Sequence, residues 1–198
     1  GADLVIVGHG SNVTGAILPL AEIGHLARQA GALLVVDAAQ TAGVEEIDVI
    51  GMNIDMLAFP GHKSLLGLQG TGGLYINPEV EISPRTFGGT GSMSESDWQP
   101  NFLPDMLESG TPNTPGIASL KAGVEYIRQT GLAVIRQHER KLINCLLEGL
   151  SSIAGLSLYG PPRNEERTAV VCFTVEGLDS GAIAHYLDRD YGIACRSG

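Results

Sequence analysis

Short apolar runs that alternate with helical patterns constrain this chain more than any other feature. "DLVIVGH" (3–9), "ALLVVDAAQ" (32–40), "DMLAFPGH" (55–62) and "GGLYIN" (72–77) are strand-sized. Their apolar residues fill consecutive positions rather than alternate ones, the pattern of strands in a parallel sheet with both faces covered. Between the first two runs, Leu20, Ile23, Leu26, Ala27 and Ala30 recur at helical spacing. Pro19 suits the first turn of that helix and Gly31 its end. The pattern predicts an α/β fold: a mainly parallel (mixed) sheet flanked by helices.

The character changes at Ser83. From there to Gly116 the chain is rich in Gly, Pro, Ser and Thr and shows no period. A loop of that length in a compact domain usually carries function. Beyond it, "IASLKAGVEYIRQTG" and "LAVIRQHERKLINCLLEGLSSI" have amphipathic helical spacing, and "LSLYGP", "TAVVCFTVEG", "GAIAHYLDRDYG" and "IACRS" read as strand, strand, helix, strand. The expected organisation is part of a large domain over 1–131, with 83–116 as its long loop, and the start of a small α+β C-terminal domain over 132–198. The chain begins "GADLVIV" without methionine and stops at Gly198 behind a strand-like run, which predicts a piece of a longer protein.

Composition removes several function classes. Twelve basic residues against twenty-two acidic ones give a formal charge of -10, where a nucleic-acid binder needs a basic stripe and an anionic membrane a polybasic anchor. No apolar run approaches the length of a membrane span. Cys145, Cys172 and Cys195 are odd in number and widely spaced, with no Cys/His cluster of ligand spacing. Neither a disulfide framework nor a metal site is expected, and a reducing cytoplasm is the simplest setting. All three read as small core hydrophobes.

In a parallel α/β sheet, ligands collect beyond the carboxyl ends of the strands. Here the first such end carries His9, Ser11 and Asn12, the second Asp37 and Gln40, and the third His62 and Lys63. One polar strand end is the ordinary case, but three successive ends with complementary groups suggest a site. Familiar motifs fail: in "GHKS" a histidine separates the glycine from the lysine of a phosphate loop, and "GHGSNVTG" is not GxGxxG. A lysine at such an end suits nucleophilic attack on a carbonyl, and pyridoxal phosphate is the common carbonyl cofactor. That cofactor needs an acid at its pyridine nitrogen, which Asp37 could supply. Gln40 could donate to the ring oxygen, His62 could reach the phosphate, and Asn12 could hold a substrate carboxylate.

Taken together and in order, "HGSNVTG", "VVDAAQ", "FPGHK", "GTGGLYI", "ESGTPNTPG" and "YGIACRSG" resemble the class V aminotransferase group of fold-type-I pyridoxal phosphate enzymes. Within it the chain looks most like the cysteine desulfurases and selenocysteine lyases. The resemblance implies that Lys63 is the Schiff-base lysine and the acid/base that moves the α-proton of an amino-acid substrate. It places Asp37 at the pyridine nitrogen, Gln40 at the ring oxygen, His62 at the phosphate and Asn12 at the substrate carboxylate. Gly110 and Thr111 match a segment that reaches a phosphate across a homodimer interface, and Arg196 matches the arginine that opens the small domain's active-site loop. The implied reaction converts L-cysteine to L-alanine plus enzyme-bound sulfur, with a sulfur-acceptor protein as a further partner.

Two departures accompany the match. Pro60 stands where the group often has a phosphate-binding serine, and proline offers neither hydroxyl nor backbone N–H. The nucleophilic cysteine that the resemblance expects falls after Gly198, and the earlier half of the large domain lies before Gly1. The piece alone is therefore expected to be inactive. The alternatives are another class V reaction (an aminotransferase or amino-acid lyase) and a non-catalytic α/β interaction domain.

Overall fold

The computed structural model describes residues 1–198 apart from Thr90 and Asn164. Strands β1 (Leu4–Gly8), β2 (Leu33–Asp37), β3 (Met56–Pro60) and β4 (Gly72–Ile76) form one sheet in that order. The first three are parallel and β4 runs antiparallel to β3, so the sheet is mixed. Helix α1 (Leu20–Gln29) makes the crossover from β1 to β2, with Glu22 in its first turn and Arg28 in its last, both favourable to the helix dipole. Pro19 sits at the cap, one place before the first turn, and Gly31 follows the helix at φ +70°. Between β2 and β3 the chain makes turns rather than a regular helix. Thr41 and Ala42 donate back to the Ala38 carbonyl there, and Asp48 Oδ1 accepts from Ile50 N and Gly51 N.

The core lies on one face of this sheet. Leu34, Val36 and Ala38 are fully buried, and Leu20, Ala27, Ile54 and Leu57 close around them. Gly24 brings α1 against the Met52 carbonyl, where a Cβ would collide. The opposite face is bare: Leu4, Ile6, Leu33 and Leu74 are 45%, 67%, 38% and 50% exposed. The expectation of cover on both faces is thus corrected. An apolar run shows that both faces can be buried, not that the chain contains what buries them.

After the long loop, α2 (Thr114–Thr130) starts three residues earlier than the loop-like composition suggests. Asn113 caps it by accepting from Gly116 N at 3.1 Å, and Pro115 fits the first turn. Gly131, at φ +88°, joins it to α3 (Leu132–Ser151). Strands β5 (Leu156–Tyr159) and β6 (Cys172–Val175) make an antiparallel pair, and α4 (Ser180–Tyr191) follows. Asp179 caps α4 by accepting from Ala182 N. The strand expected at "IACRS" is not formed, since 193–198 carry no element: alternation alone makes no strand without a ladder partner. Cys145 and Cys195 are exposed and Cys172 is half-buried, so none of the three is a closed core residue.

Candidate active site

Asp37 ends the central strand of the parallel part, with Gly8 of β1 and Ala58 of β3 as its register partners. Register partners share a sheet face, so the carboxylate stands between two of the smallest side chains on the bare face. A Cβ built on Gly8 meets nothing within 4 Å. The sheet face over Gly8, beside Asp37, is therefore open. Asp37 Oδ1 accepts from Ala39 N at 2.8 Å, which fixes the side chain at the strand end. Gln40, half-buried, follows on the same turn.

His9, next along β1, faces the other way. It is 5% exposed, and its Nδ1 lies 2.9 Å from the hydroxyl of fully buried Thr41. Burial lowers its pKa from the usual 6.5. It does not join the open rim; it ties the Ala38–Thr41 turn, and so Gln40, to β1. Ser11 is also absorbed locally, its Oγ accepting from Val13 N and Thr14 N at 3.2 and 3.1 Å. Asn12 is left exposed on the loop that follows β1.

His62 and Lys63 are exposed on the turn after β3. Gly61 N donates to Thr71 O and Gly67 N to Gly61 O, each at 2.7 Å, and Leu66 N donates to Lys63 O at 2.9 Å. Helix α2 braces this turn. A Cβ on Gly67 would approach Leu120 Cα to 3.1 Å, one on Gly123 would strike the Leu65 carbonyl, and Leu68 N donates to Ser119 Oγ at 2.9 Å. Ser119, Leu120 and Gly123 were not singled out in the sequence, where they look like ordinary helix positions. The only signal was the glycine inside an otherwise regular helix.

The remaining candidates stand apart. Gly110, at φ +83°, precedes α2 and donates to Gly89 O at 2.7 Å, with exposed Thr111 behind it. Arg196 is exposed in the element-free residues 193–198. No hydrogen bond or ion pair among the described residues links Gly110, Thr111 or Arg196 to Asp37 and Lys63. Among those residues no His/Cys/Asp/Glu group could hold a metal ion, and no helix is long and apolar enough to cross a membrane.

The mixed α/β sheet thus carries an acid and an amide at the end of β2 and a lysine on the turn after β3. In comparison with known proteins, residues 1–198 match the family described as Aminotransferase class-V, and the chain belongs to that family. It is 38% identical over 199 residues to a protein of Methanothermobacter thermautotrophicus named "Probable cysteine desulfurase", covering 98% of this chain and 49% of the relative. It is 39% identical over 202 residues to the cysteine desulfurase of an Escherichia coli strain, covering 98% and 48%. The apo structure of a cysteine desulfurase from Thermococcus onnurineus superposes with a TM-score of 0.85 at 38% identity, covering 99% of this chain and 50% of that one. The fold is thus that of pyridoxal-phosphate fold-type-I enzymes. The chain spans about half the length of the relatives it matches.

Proposed function

We propose that this chain belongs to a pyridoxal-phosphate-dependent cysteine desulfurase acting on L-cysteine or selenocysteine. The open floor formed by Gly8, Asp37 and Ala58, with the Lys63 turn leaving the adjacent strand, is the observation that carries this reading. The donor set fits the cofactor: a fixed carboxylate for a protonated ring nitrogen, an amide for the ring oxygen, and an amine for the carbonyl carbon. When bound, pyridoxal phosphate supplies the electron sink that weakens the bonds at a substrate's α-carbon.

The rest is done by side chains of this chain. Asp37 holds the proton on the ring nitrogen, and the backbone bond from Ala39 keeps its carboxylate aimed. Gln40 donates to the ring oxygen, and His62 donates to the phosphate, a contact made more necessary by Pro60. Lys63 would supply the amine that holds the cofactor and, once a substrate amine takes its place, the base that moves the substrate's α-proton. Asn12 grips the substrate carboxylate, and Arg196, at the opening of the small domain's active-site loop, also contacts the substrate. Gly110 and Thr111 serve the phosphate of a second copy in a homodimer, whose site they would complete. The division at 131/132, a cytoplasmic setting and a sulfur-acceptor protein complete the reading.

The test is borohydride reduction of the full-length gene product with pyridoxal phosphate, followed by peptide mapping, with Lys63→Ala as control. The expected result is cofactor covalently attached at Lys63 and none in the control. A protein that takes up no cofactor at Lys63 would sink the enzyme reading and leave a non-catalytic α/β domain.

A further inference from the structure

The loop His9–Leu18 carries Asn12, and its conformation is fixed from outside as well as from within. Its internal bonds run from Ser11 N to Ala16 O and from Leu18 N to His9 O, both at 2.8 Å. Its external hold comes from the stretch leading into β6. Ala16 bridges to Arg167, and Thr168 N donates to Gly15 O at 2.9 Å. The Arg167 guanidinium spans three backbone carbonyls. One terminal nitrogen donates to Pro161 O at 2.6 Å; the other donates to Thr14 O at 3.1 Å and Val170 O at 2.7 Å. Arg167 Nε is buried with no partner among the described residues, and no carboxylate there pairs with its charge.

The fit leaves no slack. Gly15, at φ +77°, would place a Cβ 2.7 Å from Val170 O, and one on Gly160 would strike the Thr14 carbonyl. A planar fork serving carbonyls from two distant segments does what lysine, a single ammonium, cannot. A merely stabilising role would make poor use of a half-buried cation whose Nε is buried and that has no ion-pair partner among the described residues, because well-packed apolar groups often serve stability as well or better.

We propose that Arg167 is a positioning residue: it locks the Asn12 loop to the β5–β6 unit and thereby sets the grip on the substrate carboxylate. This rests on reading Asn12 as the carboxylate ligand. The lock also means that any shift of the β5–β6 unit moves Asn12 with it.

Two measurements test it, and only the second depends on the proposed activity. The first is amide hydrogen exchange in Arg167→Gln and Arg167→Lys, with Arg163→Gln, from an exposed pair with Glu148, as control. Amides of 11–18 are expected to exchange about tenfold faster or more, as befits lost charge-assisted hydrogen bonds, while Leu34 and Val36 stay protected. Arg163→Gln should change neither. Should Arg167→Gln fail to fold, Gly15→Ala, which wedges the same contact from the other side, is expected to give the same pattern. The second is steady-state kinetics with L-cysteine on the cofactor-loaded full-length protein, where KM should rise about tenfold while kcat stays within about twofold. Unchanged loop exchange, loss of strand protection together with the loop, unfolding of every variant, or an unchanged KM would overturn the proposal. If the unmodified protein takes up no cofactor, the enzyme reading fails, and so does the carboxylate grip that the lock is said to set. The loop exchange then reports on the lock alone.

Discussion

His9 shows how one buried side chain ties a site to pH. Its ring is held against Thr41 under the Ala38–Thr41 turn, and burial pushes its pKa below 6.5. The unfolded chain therefore binds a proton that the folded chain refuses, and stability rises with pH across the window beneath 6.5. Glu45 works in the other sense: burial raises its pKa despite Arg136 at 3.0 Å, so its share of stability grows as pH falls through the window above 4.5. Urea unfolding at pH 7.5 and at pH 5.5 should show the chain losing stability at the lower value, and His9→Gln should reduce that loss. A loss of equal size in the variant would assign it to other groups. At this scale, the placement of Asp37 and Gln40 after one strand and of His62 and Lys63 after the next was legible, because the apolar runs end where those residues stand. Arg167 was not: it acts on backbone carbonyls, one of them 153 residues away, and no residue type announces that. Cys145 and Cys195 misled, because an apolar neighbourhood in sequence does not give burial in space.

At the scale of elements, the apolar runs gave every strand of the main sheet to within two or three residues, and the helical spacing gave α1 to α4. Run composition could not tell which sheet face has a partner. The structure divides them sharply, with Leu34 fully buried under α1 and Ile6 two-thirds exposed on the far side. Leu34→Ala should cost about 2–5 kcal/mol, the usual range for a core truncation, whereas Ile6→Ala should cost under about 1 kcal/mol. Chemical denaturation of this chain reads both. Equal costs would mean that the outer face of β1 is covered in solution after all. The final strand failed for a related reason: "IACRS" has the alternation of a strand, yet residues 193–198 find no neighbour to pair with.

The whole molecule joins these observations. A contiguous apolar face holding Leu4, Ile6, Leu33 and Leu74 lies open beside Asp37, although proteins rarely leave such patches free of function. The relatives are about twice as long as this chain. A further half packed on this face would bury the apolar residues and roof the open floor at Asp37 in one step. The chain by itself should therefore bind a hydrophobic dye such as anilinonaphthalene sulfonate, and Ile6→Thr with Leu33→Thr should weaken the signal with little change in melting temperature. The full-length gene product should bind far less dye per molecule and be indifferent to pyridoxal phosphate in that assay. Equal dye binding by the long and short forms would show that the remaining half packs elsewhere. The open face at Asp37 would then need another cover.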